Sequence, residues 1–163
     1  MNHSNFSRRT VIARGALLSA VGLSVAAQAT ADVVVKDGGH SKNIDLILTF
    51  CRAGAARDLE GQMRFIPENG IYHNMPDAPI VGRENIRALL SGYLTSSDAT
   101  EIIVNDIAES AAGIVLTQRV DRFRIKGGKW IDCPVMGAAR IENGKIAEWR
   151  DYYDNQYLAK QMS

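Results

Sequence analysis

The sequence predicts an α+β domain in which a strongly curved sheet, mixed but mainly antiparallel, wraps around N-terminal helices. Three observations lead there. Apart from a short closing segment, helical periodicity is confined to the stretch from Ser41 to Tyr93. Beyond Thr100, long alternating segments take over. Turn signals at Ala112-Gly113, Gly127-Gly128 and Asn143-Gly144 cut that second half into strands. Helices followed by a strand meander is the element order of an α+β domain.

The chain has 163 residues, 46% hydrophobic and 23% charged with four prolines, which fits one folded domain and excludes disordered, collagen-like and disulfide-dense classes. The formal net charge of +1 offers no footprint for a nucleic-acid partner. That balance hides an asymmetry. Residues 1–31 contain Arg8, Arg9 and Arg14 and no acid, so the remainder is slightly negative.

The first 31 residues read as an address. Ser7-Arg8-Arg9-Thr10 precedes Arg14, a weakly apolar run from Gly15 to Ala27, and the small-residue sites Ala27-Gln28-Ala29 and Ala29-Thr30-Ala31. This resembles a bacterial twin-arginine export signal, cleaved after Ala31. The run is too short for a stable membrane span, so no lasting insertion is expected once the signal is removed. The protein is expected to be exported, periplasmic or secreted, with residues 32–40 a flexible lead-in and 41–163 the folded domain.

Within that domain Ile44, Ile47, Leu48 and Cys51 repeat at helical spacing, with Ser41 as cap and Gly54 as stop. A short helix fits Arg57 to Met63. Gly70 to Asn74 reads as a strand, and Pro76 and Pro79 mark a loop. Ile86, Leu89, Leu90 and Tyr93 predict the next helix. Strands follow over Glu101–Ala108, Ile114–Ile125, Trp130–Ile141 and Lys145–Tyr153, and a last helix over Asn155–Gln161. Pro134 suggests an edge or a bulge. Cys51 and Cys133 fall on apolar faces and read as buried thiols rather than a disulfide.

Familiar catalytic motifs are missing. There is no H-E-x-x-H, C-x-x-C, G-x-S-x-G, phosphate loop or G-x-G-x-x-G. His73 is the one histidine inside the domain, and it reads as a strand-surface residue. Carboxylates and an arginine remain.

Strand alternation places Arg119, Asp121 and Phe123 on one face, and Trp149, Asp151 and Tyr153 on one face of the last strand. The aromatics mark both faces as inward. Charges buried in an apolar interior must pair, and the natural arrangement is Arg119 bridging Asp121 and Asp151. Two carboxylates beside one cation diverge in proton affinity, which supplies a base and an acid together. A structural ion-pair network fits the same spacing equally well. Tyr72 and Asn74 share a face of a further strand, and both are able to hold a water. By alternation Phe123, Cys133 and Val135 line the cavity.

The segments Tyr72-His73-Asn74-Met75-Pro76, Val81-Gly82-Arg83, Arg119-Val120-Asp121, Gly144-Lys145-Ile146 and Trp149-Arg150-Asp151-Tyr152, in this order and spacing, resemble the limonene-1,2-epoxide hydrolase family. That family has the nuclear-transport-factor-2-like, or cystatin-like, fold. The resemblance implies one-step opening of a small apolar, terpene-like or cyclic epoxide to a vicinal diol, with no covalent intermediate, cofactor or metal. Asp151 would be the general base, Tyr72 and Asn74 would hold the water, Asp121 would be the general acid, and Arg119 would hold both carboxylates. A homodimer is also implied. Two other classes remain open: an isomerase or polyketide-cyclase-like enzyme of the same fold, which needs no water clamp, and a non-catalytic small-ligand-binding module.

Overall fold

The computed structural model describes residues 41–163, so the expected export signal and lead-in lie outside the described residues. Ser41 opens the first helix: its Oγ accepts the Ile44 N–H at 3.1 Å, satisfying a donor that every helix start leaves free. Helix α1 (Lys42–Ala55) buries Ile44, Ile47, Leu48 and Cys51, the stripe marked by the sequence, and Phe50 beside them. Gly54, expected as the stop, is instead buried within the last turn, and the chain leaves the helix at Ala56. It reverses at Arg57, whose φ of 60° lies in the left-handed region. The Arg57 guanidinium is anchored on the carbonyls of Leu94 (2.6 Å) and Ser97 (3.0 Å) and on Ser97 Oγ (3.0 Å). Helix α2 (Leu59–Met63) accordingly starts at Leu59 rather than Arg57, capped by Asp58 Oδ1 on the Gly61 N–H.

Strand β1 (Ile71–Met75) and a two-residue β2 (Ile80–Val81) flank the expected loop. β2 is too short to show alternation and has no sequence signal. Helix α3 (Arg83–Ser96) buries Ile86 and Leu90, and Arg83 donates to the Met63 and Ile66 carbonyls, tying its start to the end of α2. The meander comprises β3 (Ser97–Glu109), β4 (Ile114–Ile125), β5 (Trp130–Glu142) and β6 (Lys145–Tyr152), followed by α4 (Asn155–Met162). Asn143 and Gly144, at φ 51° and 69°, form the tight reversal between β5 and β6. Among the described residues no helix is long and apolar enough to cross a membrane.

The six strands lie in the order β2-β1-β6-β5-β4-β3. Every neighbouring pair is antiparallel except β1 and β6, which run parallel with Asn74 beside Asp151. Register shifts interrupt β3 at Ser97/Ala99 and Val104/Asp106 and the β5–β6 pair at Arg140/Ile141. Such bulges bend a strand and increase its twist, so the sheet curls around the helices as expected. Its inner face contributes Val104, Val115, Ala139, Ile146 and Trp149 to a core shared with Ile47, Leu48, Met63, Ile86 and Leu90. Each fully buried aliphatic side chain there stabilises the fold by about 1.5–3 kcal/mol. Pro134 keeps register with Val120 but lies beyond the point, Met136, where β6 begins to pair, so it occupies a local edge without a bulge.

Candidate active site

Alternation on β4 turns Thr117, Arg119, Asp121 and Phe123 to the inner face. The β4–β5 register sets Asp121 against Cys133, Arg119 against Val135 and Thr117 against Gly137. β6 continues from Gly137 to Asp151, and parallel β1 from Asp151 to Asn74. One row of residues therefore crosses four strands as Thr117, Gly137, Asp151, Asn74, and backbone pairing rather than loop geometry places the polar groups.

Arg119, only 2% exposed, joins the two aspartates. Its Nε and Nη2 donate to Asp121 Oδ1 and Oδ2 at 2.9 and 3.1 Å, Nη2 also reaches Asp151 Oδ2 at 2.6 Å, and Nη1 donates to Thr117 Oγ1 at 3.1 Å. The guanidinium also lies 5.0 Å from the Trp149 ring. Trp149 in turn donates Nε1–H to Asp151 Oδ2 at 2.7 Å and packs against Phe50 and Tyr72, with ring centroids at 4.9 and 6.1 Å. A β-carbon at Gly137 would stand 2.3 Å from Arg119 Nη1 and 2.5 Å from Thr117 Oγ1, so the ion-pair network requires a residue without a side chain there.

The two carboxylates are not equivalent. Asp121 is half-buried beside the cavity, and burial pushes its pKa above the usual carboxylate range against the opposing pull of Arg119, with nearby Asp151 adding to the rise. A carboxyl raised in this way is suited to giving a proton. Asp151 is buried, and its Oδ2 takes two N–H donors while Oδ1 has no hydrogen-bond partner. An oxygen of this kind is suited to accepting a proton.

The side chains of Tyr72 and Asn74 join Asp151 in lining the cavity. Burial, reinforced by Asp151, holds the Tyr72 phenol well above its ordinary pKa, so its hydroxyl stays a donor. Asn74 gives its Nδ2–H to the Tyr93 hydroxyl at 2.8 Å, which leaves Asn74 Oδ1 to accept. A donor, an acceptor and a bare carboxylate oxygen together match the needs of one attacking water.

The cavity encloses about 230 Å³, just below the roughly 300 Å³ at which ligand pockets commonly begin, and so fits a small molecule. Phe123, Cys133 and Val135 line it, together with Leu90 and Ile102. Cys51 is buried within electrostatic reach of Arg119, and neither cysteine forms a disulfide. Burial pushes both thiols up to about 12, which keeps Cys133 a neutral wall group beside Asp121. His73 donates its Nε2–H to the Asp77 carbonyl at 2.7 Å and is not among the residues lining the cavity. Among the described residues no group of three or more His, Cys, Asp or Glu is placed to hold a metal ion.

Sequence reasoning did not assign Thr117, Gly137, Tyr93 or the Trp149 N–H to the site. Gly137 had a readable signal, since a glycine within a strand marks a bulge or a close approach. Tyr93 looked like one more apolar position of α3.

Residues 41–163 match the family described as Limonene-1,2-epoxide hydrolase catalytic domain. An LEH-like epoxide hydrolase from M. tuberculosis is similar at 25% identity and a TM-score of 0.65, over 73% of this chain and 87% of that one. A protein with a ketosteroid isomerase-like fold from Catenulispora acidiphila DSM 44928, in complex with trimethylamine, shares 17% identity at a TM-score of 0.65, over 72% and 91% of the two chains. A SnoaL-like protein from Shewanella denitrificans OS-217 shares 17% identity at 0.65, over 74% and 96%. The last two likenesses concern the fold alone. Because the family match spans every described residue, the chain belongs to the limonene-1,2-epoxide hydrolase catalytic-domain family.

Proposed function

We propose that the protein is a cofactor-independent epoxide hydrolase that adds water to a small, largely apolar epoxide and releases a vicinal diol. The observation that carries this is the asymmetric pair: Arg119 holds both carboxyls, yet Asp151, which lines the cavity with Tyr72 and Asn74, keeps one oxygen without a hydrogen bond while Asp121 has a raised proton affinity. An ion-pair network serving only stability would leave no buried carboxylate oxygen unpaired.

In the proposed step, Tyr72 and Asn74 orient the water and the Asp151 carboxylate removes its proton. The water oxygen forms a bond to one ring carbon as the bond from that carbon to the epoxide oxygen breaks. Asp121 gives its proton to the departing oxygen, which would otherwise leave as a poor alkoxide. Asp151 then carries a proton and Asp121 has lost one; exchange with solvent restores both after the diol leaves. Arg119 stays charged throughout and prevents the two carboxyls from being buried as unscreened anions.

The proposal includes a compartment and an assembly. The Arg8-Arg9 signal exports the folded domain to the periplasm or beyond. A second copy covers the outer face of the sheet, where Leu116, Met136 and Tyr152 are 44%, 56% and 46% exposed and adjoin Val120 and Pro134 in register.

The test is incubation of the purified protein with terpene, cycloalkene and styrene oxides in oxygen-18 water. Single-turnover diol carries solvent label, and Asp151→Asn and Asp121→Asn remain folded but lose about 10²–10⁴-fold in diol formation. Absence of diol across the panel, with proton exchange on an enone instead, overturns this function in favour of an isomerase.

A further inference from the structure

Away from the two aspartates, the cavity wall holds a polar group that the proposed chemistry leaves unused. Gln62, on α2, is only 7% exposed and lines the cavity. Its backbone is committed, with its N–H on the Asp58 carbonyl at 3.1 Å and its carbonyl taking the Phe65 N–H at 3.0 Å. Its side-chain amide makes no hydrogen bond to any described residue. Neither polar atom of the amide is sealed off, so both are open to a bonding group that enters the cavity.

Gly54 marks the same spot independently. It lines the cavity from within α1, where glycine is a poorer choice than alanine for helix stability. A β-carbon there would stand 2.8 Å from Gln62 Nε2 and 3.1 Å from Ile102 Cδ1. The bare backbone thus makes room for the amide, which rests against it beside Ile102. Ile102 is the register partner of Asp121, so the amide sits on the wall one strand beyond the proposed proton donor. Thr100, on the same inner face of β3, adds a hydroxyl to this end of the cavity.

A carboxamide offers both a donor and an acceptor, which suits a hydroxyl or carbonyl oxygen and gives nothing to a hydrocarbon. We propose that Gln62 is a specificity-determining residue and that the natural substrate is an oxygenated epoxide, carrying a hydroxyl or carbonyl away from the three-membered ring on the side from which Asp121 protonates. This deepens the epoxide-hydrolase proposal and rests on it.

The experiment compares kcat/KM for cyclohexene oxide and for its 4-hydroxy and 4-oxo derivatives, in the wild type, Gln62→Met and Gly54→Ala. The wild type prefers an oxygenated member by about tenfold or more, since the plain ring leaves the amide unpaired. Gln62→Met, of similar volume, brings the ratio close to one while the melting temperature holds or rises. Gly54→Ala lowers the ratio by displacing the amide. A wild-type ratio near one overturns the inference, as does a ratio unmoved in Gln62→Met; a lower melting temperature with an unmoved ratio makes Gln62 structural. If none of the three epoxides is turned over, the hydrolase proposal fails by itself. The inference is then read from binding of cyclohexane-1,2-diol against cyclohexane-1,2,4-triol by ligand-observed NMR: tighter triol binding that disappears in Gln62→Met upholds it, and equal binding overturns it.

Discussion

Gly137 stands directly beside Asp151 in the β5–β6 register, and the missing side chain is what allows the Arg119 guanidinium to cross β5 and reach that carboxylate. A side chain at 137 would displace the Arg119 guanidinium and crowd Asp151 Oδ1, which lies 3.1 Å from the β-carbon position.

Gly137→Ala therefore acts on activity through Arg119. The added carbon would meet Thr117 Oγ1, one bond from its strand, and Arg119 Nη1, which is held by its ion pairs, and overpacking of this kind costs about 1–3 kcal/mol. The expected outcome is a melting temperature lower by several degrees and a fall of at least 100-fold in kcat. Wild-type turnover in Gly137→Ala shows that the clamp does not have to be held as observed.

The pH dependence follows from Asp121. Burial raises its folded-state pKa above the value of about 3.9 in an unfolded chain. Its contribution to stability is therefore complete below that unfolded value and is lost as pH rises through the folded one. On the proposed mechanism activity follows the same direction, because Asp121 as proton donor would empty over the same interval. A kcat/KM profile should fall on a basic limb whose midpoint lies above the ordinary carboxylate range. A midpoint at or below about 4 removes Asp121 from the donor role.

Tyr93 acts by orienting Asn74. Its hydroxyl accepts the Asn74 Nδ2–H at 2.8 Å and so selects which end of the amide faces the proposed water. Tyr93→Phe should lower kcat by about tenfold, the value of one hydrogen bond of about 1 kcal/mol or slightly more, with KM little changed. An effect confined to KM makes Tyr93 a substrate contact instead.

Much of the fold was legible because the responsible forces are local and periodic. The α1 stripe of Ile44, Ile47, Leu48 and Cys51 repeats because one helix face meets the core, and the inward set on β4 repeats because strand side chains alternate. Where the sequence misled, a distant partner decided. β3 begins at Ser97, earlier than its alternation suggests, because Ser97 to Thr100 pair with Ile125 to Phe123 and Asp98 meets Arg124 at 2.6 Å. Gly54 looked like a helix stop, but the reversal comes at Arg57, whose guanidinium is anchored on the end of α3. The bridging arginine was readable from alternation and the cost of burying charge. The roles of Gly137 and Gln62 were not, since each depends on a neighbour in another element.

The exposed apolar strip on the sheet's outer face gives a prediction about assembly. Met136→Glu should convert the proposed dimer into a monomer by light scattering, because a charge would then have to be buried at the centre of the strip. A wild-type protein that is already monomeric at micromolar concentration rules out a second copy on this face.

The parallel pairing of β1 with β6 also governs when the site comes into being. Asn74 and Tyr72 lie on the first strand of the sheet in chain order, and Asp151 on the last. During synthesis Tyr72, Asn74, Arg119 and Asp121 all leave the ribosome before Asp151, the proposed base. A chain interrupted anywhere before β6 therefore lacks that carboxylate, as well as the strand that joins β1 to the rest of the sheet. On the proposed mechanism the site and the sheet are completed together, and partly folded chains should contribute nothing to turnover.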